Sequence, residues 1–246
     1  MKHRSKTAAA FFTLLLLIFL PIAVSARAGG ETGGGGGGGT GGGTGGGPTG
    51  HSSASSDPVS EVLGWIAAPI LLGASSIVFF FRLKKKSLES EHLMSRFDDS
   101  DPAWRYADIK KRVEESFYII QNGWSCCDLN EAGPYLSDEL RKEFSIKLEW
   151  MKYQNRRNVL DKIHLESVEP VAVSDSAGGS EDFIWFYIRA RMVDYIEDET
   201  NQSVLSGSTN ESSFVEYWMY IREKSSWVLN RILQQDEGKA LFFGQK

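Results

Sequence analysis

Cysteine and histidine are scarce: two cysteines, adjacent at Cys126 and Cys127, and four histidines in 246 residues. No second cysteine pair exists to complete a zinc site or to frame a disulfide-rich secreted scaffold, so neither class fits. His92 and His164 have no aspartate and nucleophile in sequence reach to suggest a triad. No catalytic, metal-binding or cofactor-binding residue is therefore assigned. Basic charge is also short, with 27 Lys and Arg against 32 Asp and Glu and a formal net charge of -5. That balance argues against a dedicated nucleic-acid surface. Hydrophobic residues make up 41% of the chain and aromatics 12%, enough for a folded core.

The amino end lacks the pattern of a folded domain. Lys2, Arg4 and Lys6 precede an apolar run from Ala8 to Val24, followed by small residues at Ser25, Ala26 and Ala28. This is the layout of a secretory signal peptide or, uncleaved, of a signal-like anchor over residues 1–26. Residues 27–61 are rich in glycine and serine. Their glycines run consecutively, so a collagen repeat fails, and no Gly-Lys-Ser/Thr follows, so a phosphate loop fails. With almost no side-chain area to bury, the segment reads as a disordered spacer.

Residues 62–81, Val62 to Phe81, carry no charge. Twenty residues at 1.5 Å each make a helix about 30 Å long, the thickness of a bilayer's hydrocarbon core. Pro69, Gly64 and Gly73 are tolerated in such a span, and Trp65 suits an interface. Arg82, Lys84, Lys85 and Lys86 follow directly. They place the carboxyl side in the cytoplasm, or its organellar equivalent, and are candidates for contact with anionic lipid. Residues 82–100 then read as a basic juxtamembrane linker. In that reducing setting Cys126 and Cys127 are expected to be free thiols.

From residue 101 the chain becomes periodic. Asp101 and Pro102 suggest a helix start, and Ile109, Val113, Phe117, Ile120 and Trp124 form one apolar stripe. Ser137 reads as the cap of a second helix bearing Leu140, Phe144, Leu148 and Met151. Beyond Asn158 the period changes to two. Residues 163–173 suggest several short strand pieces; 183–193 alternate, with Ile184, Phe186, Ile188, Ala190 and Met192 inward and Trp185 and Tyr187 on a partly exposed side. Residues 197–211 read as a long polar hairpin loop. Residues 214–222 and 227–233 read as strands joined by a tight turn. Helices followed by an antiparallel sheet make an α+β domain over residues 101–236, with a tail at 237–246.

Several segments carry a family resemblance: Ile120-Gln121-Asn122-Gly123-Trp124 with Asp128-Leu129, Tyr135 to Leu140, and Phe214 to Arg222 with Trp227-Val228-Leu229-Asn230. The Glu216-x-Trp218-x-x-x-Arg222 pattern before a tryptophan strand is its most specific part. Residues 100–236 resemble the carboxyl-terminal domain of the mitochondrial translocase of the inner membrane subunit 44 and its bacterial membrane-anchored relatives. The resemblance implies a nuclear transport factor 2-like cone, amphipathic helices on a curved antiparallel sheet enclosing an apolar pocket. It further implies a membrane-associated scaffold for protein transport that contacts lipid and translocase components. Chaperone tethering belongs to a region of those relatives that is replaced here.

Within such a cone, Glu216, Trp218, Tyr220 and Arg222 share one side of a strand, with Trp124, Tyr135, Trp185 and Tyr187 as neighbours. Together they are the candidate pocket or interaction residues, although rings of this kind also simply fill a core. Glu216 and Arg222 suggest a structural ion pair. The reading is of a non-enzymatic single-span membrane protein whose domain binds protein partners, lipid or a small apolar ligand. A membrane-tethered enzyme using the sheet pocket is the alternative, because fold alone does not fix function.

Overall fold

The computed structural model describes residues 58–176 and 181–244, with side chains from residue 76 onward. The signal-like segment and nearly all of the glycine-rich spacer lie outside the described residues, as do the side chains of most of the expected span. Among the described residues no helix is long and apolar enough to cross a membrane.

Helix α1 (Pro58–Asp98) runs unbroken for 41 residues. The basic segment expected as a linker is therefore the second half of this helix. Leu83, Ser87, Ser90 and Met94, at spacings of four, three and four, are its buried stripe, and they lie along the first strand. Asp101 caps a short 3-10 turn (Pro102–Trp104) by accepting from the Ala103 N–H at 3.0 Å. The main helix begins after it, as α2 (Tyr106–Ser125), and buries the five apolar stripe positions expected of it. Ser137 caps α3 (Asp138–Tyr153), its Oγ accepting from the Leu140 N–H at 3.2 Å.

Four strands follow: β1 (Arg156–Ser174), β2 (Phe183–Asp198), β3 (Val204–Glu223) and β4 (Ser226–Gln234). They pair in sequence order, all antiparallel. The short pieces expected over 163–173 are one strand, interrupted by register shifts at three places, including one beside Lys162, whose φ is 51°. Such bulges bend a strand and strengthen its twist. The expected long loop over 197–211 is also mostly strand. Glu197 pairs with Val204 and Ile196 with Ser206, leaving only a short turn in which Asp198 accepts from the Thr200 N–H at 2.8 Å. This end of β3 is solvated, so its polar residues show no alternation. Gly207 (φ 87°) allows β3 to shift register there, because a Cβ at that position would sit 2.3 Å from the Asp194 carbonyl oxygen.

The residues expected as a tail fold as helix α4 (Gln235–Phe243). It opens with a capping box in which the Gln234 N–H donates to Glu237 Oε2 at 2.9 Å.

The sheet separates two apolar clusters. Ile184, Phe186, Ile188, Ala190 and Met192 meet α2 and α3 in the main one, around Phe117, Trp124, Phe144, Trp218 and Tyr220. The alternate residues Trp185 and Tyr187 join Tyr217, Val171, Leu233 and Leu83 in a second cluster, against which Phe79, Phe242 and Phe243 pack. The side of β2 expected to be partly exposed is thus buried at Trp185 and Tyr187, because α1 and α4 cover it.

Candidate functional site

The eight candidate pocket residues fall on different sides of the sheet. Trp124, Trp218 and Tyr220 are fully buried in the main cluster, whose space they fill. The Phe117 and Trp218 rings lie 5.4 Å apart, and Trp124 meets Phe144 edge-on at 5.1 Å. Tyr220 Oη and Ser116 Oγ share a 2.6 Å hydrogen bond, and burial pushes the phenol's pKa upward. Tyr135 packs at the edge of this cluster with the Arg112 guanidinium 4.6 Å from its ring centroid. Trp185 and Tyr187 line the opposite side and cannot share a concavity with Trp218.

Glu216 and Arg222 do not pair. Six residues apart on one strand, they are separated by about 20 Å. Buried Glu216 instead accepts from Trp218 Nε1 at 2.9 Å and from Gln234 Nε2 at 3.4 Å. Arg222 forms ion pairs with Asp101 and, at 3.3 Å, with Asp182. The guanidinium's hydrogen bond holds the Asp101 carboxyl below its ordinary range. These two aspartates tie the entrance of α2 to the start of β2. The pairing of Phe183 with Ile221 points to the Asp182 contact. The sequence pattern marks Asp101 only as a helix start.

One open space lies on the outer side of the sheet. A groove of about 540 Å³ runs between α1 and α4, with Phe79, Phe80, Leu83, Tyr187 and Val215 as apolar wall and Arg189 and Lys239 at its rim. Arg189 is engaged by Glu166 at 2.8 Å, and Lys239 lies 5.6 Å from the Phe79 ring centroid. Periodicity missed this groove because Phe79 belongs to the apolar run and Lys239 to the supposed tail. Among the basic residues after the run, Arg82 is exposed, Lys84 pairs with Glu169 at 3.8 Å, Lys85 with Glu89 at 3.8 Å, and Lys86 Nζ sits 5.8 Å from the Phe243 ring centroid. Three of the four thus have a partner in the fold or along the helix, all of them weak surface contacts.

Cys126 and Cys127 are free and exposed at the end of α2; Cys127 is still partly desolvated by its surroundings, and that, with the nearby Glu199 carboxylate, pushes its thiol up. Among the described residues no three His, Cys, Asp or Glu side chains converge as metal ligands.

No curated protein matches the chain. A solved structure of the intermembrane space region of the chloroplast protein ARC6 superposes with a TM-score of 0.35 at 11% identity, covering 50% of this chain and 94% of that one, a likeness too distant to carry function across. The Tim44-like domain family matches residues 90–234, a stretch that takes in the lower part of α1, both packed helices and all four strands. The chain belongs to the Tim44-like domain family.

Proposed function

We propose that this protein is a single-span membrane scaffold in which residues 62–81 cross the bilayer and the Tim44-like domain recruits protein partners on the cytoplasmic or equivalent side. The observation that carries this reading is the continuity of α1. The helix that contains the apolar run continues, without a break, into the stripe that docks on β1. At the junction Ile77, Val78, Phe80 and Phe81 are exposed while Phe79 and Leu83 pack on the domain. Exposed apolar side chains immediately before a basic cluster suit the edge of a bilayer. Arg82 is the basic residue left most available for lipid headgroups.

Membership in the family supports a role in protein transport or membrane-complex assembly, and we read the domain as non-enzymatic. The candidate residues of the main cluster serve packing, hydrogen bonds and ion pairs internal to the domain. A small apolar ligand, on this reading, belongs in the groove between α1 and α4. The test is gentle-detergent extraction of the full-length tagged protein, with mass spectrometry against a control carrying residues 1–100. Partners that require residues 101–246 are the expected result. Extraction without such partners, together with turnover of a substrate that binds the groove, would establish the tethered enzyme instead.

A further inference from the structure

Helix α4 is fastened to the domain by its rings. Phe242 lies 5.3 Å from Tyr217 and 5.4 Å from Trp185, and Phe243 lies 5.0 Å from Phe79 and 6.5 Å from Tyr217. Lys239 over Phe79 at 5.6 Å and Lys86 over Phe243 at 5.8 Å add two cation contacts. Among the described residues no hydrogen bond or ion pair runs from residues 235–243 to the sheet or to α1. Polar ties are confined to the entrance, where Gln234 forms the capping box with Glu237 and its Nε2 reaches Glu216 at 3.4 Å. Of the nine residues of α4 only Gly238 is buried, and Leu241 is 62% exposed.

A polar group lies unmet beneath this helix. Tyr217 is fully buried, and its Oη has no hydrogen-bond partner among the described residues. The rings of Tyr187, Phe242 and Phe243 and the backbone of Gly238 surround it. Of these four covers, Tyr187 belongs to β2 and the other three to α4. A hydroxyl buried without a partner costs free energy that is recovered once water reaches it. The closed position of α4 therefore carries a cost that lifting α4 relieves. The groove between α1 and α4 already undercuts the helix at Gln235 and Lys239.

We propose that α4 is a lid on the outer cluster, swinging on its Gln234 entrance while the sheet and α1 stay in place. The Tyr217 hydroxyl keeps the closed state from being too stable to open. Closed, the lid confines the groove to the walls described above. Open, it joins the groove to Trp185, Tyr187 and Tyr217 as one apolar cleft. The lid is a property of the folded domain and does not depend on the membrane anchor.

The test follows hydrogen exchange and hydroxyl-radical oxidation, both resolved by peptide with mass spectrometry, on the full-length protein in a bilayer. Amides of residues 239–243 are expected to exchange at least about a hundredfold faster than those of residues 184–190 in β2. Tyr217→Phe keeps the ring and removes the hydroxyl. It should slow exchange over 239–243 by at least about fivefold and lower oxidation of Trp185, with Trp218 on the inner side unchanged. Gly238→Val should do the opposite at both places. Exchange over residues 62–81 in the same data reports the anchor separately. Exchange of α4 no faster than that of β2 would overturn the proposal, because α4 would then leave only with the whole domain. So would exchange unchanged or faster in Tyr217→Phe, or fast exchange of α4 with Trp185 protected in Gly238→Val, which is fraying of a helix end.

Discussion

The two sides of the sheet are made by the same strands and protected differently. The inner side is sealed by two long amphipathic helices within the family-matched region, and its large rings are fully buried. The outer side is sealed by Phe79 and Leu83 of α1 and by the nine-residue α4, all of which lie outside residues 90–234. A helix as short as α4 is not stable alone. It is held by the Tyr217 ring stacked on Phe242 at 5.3 Å, by Trp185 on Phe242 at 5.4 Å and by Phe79 on Phe243 at 5.0 Å. The inner core thus makes the domain, and the outer cluster joins the domain to the upper part of α1.

Breaking the inner side should cost most. Trp218→Ala removes a fully buried ring and the donor to Glu216, and should lower stability by about 3–5 kcal/mol, read by denaturant unfolding. A loss below 1 kcal/mol would mean that this ring is not a core element. Gly238→Val tests the outer side. A Cβ at Gly238 would lie 1.9 Å from Cδ2 of Tyr217, so α4 must lift. The expected cost is about 1–3 kcal/mol, with new proteolytic cleavage near residue 235 while near-ultraviolet signals of the inner tryptophans persist. Phe242→Ala should cost less, about 1–2 kcal/mol, and should loosen α4 without altering the inner core.

The smallest effect falls on the bridge between Arg222 and Asp101. A carboxyl whose native pKa lies below its unfolded value of 3.8 adds stability above that unfolded value. The contribution is lost as the pH falls through the native pKa. Asp101→Asn should therefore lower stability slightly at neutral pH and flatten the acid limb of the stability profile below pH 4. Equal acid sensitivity in variant and parent would remove Asp101 from the account. Asp101 is partly exposed, so salt should weaken the effect.

Much of the inner side was legible because its signals are periodic. The stripes from Ile109 to Trp124 and from Leu140 to Met151, the Ser137 cap and the alternation over 183–193 all follow from burial on one face. The outer side was less legible because its cover comes from segments with other apparent roles. Phe79 ends an apolar run that hydropathy alone explains, and Phe242 and Phe243 sit in a short helix with little periodicity. Basic residues hid the docking stripe of α1, since Lys84, Lys85 and Lys86 lie between Leu83 and Ser87. Burial of two serines, rather than of leucines, further weakened the pattern. The first half of β3 escaped because a solvated strand has no apolar face to alternate with. Alternation along one strand does not say which element covers the reverse face, so the candidate pocket residues, expected as neighbours in one concavity, divide between the two sides of the sheet.

The continuity of α1 is tested most directly by hydrogen exchange of the full-length protein in a lipid bilayer, followed along residues 58–98. The account predicts slow exchange throughout, with residues 82–90 protected by helical hydrogen bonds and by docking on β1. Fast exchange across residues 82–90, between a protected apolar run and a protected domain, would show a free linker and contradict the rigid joint.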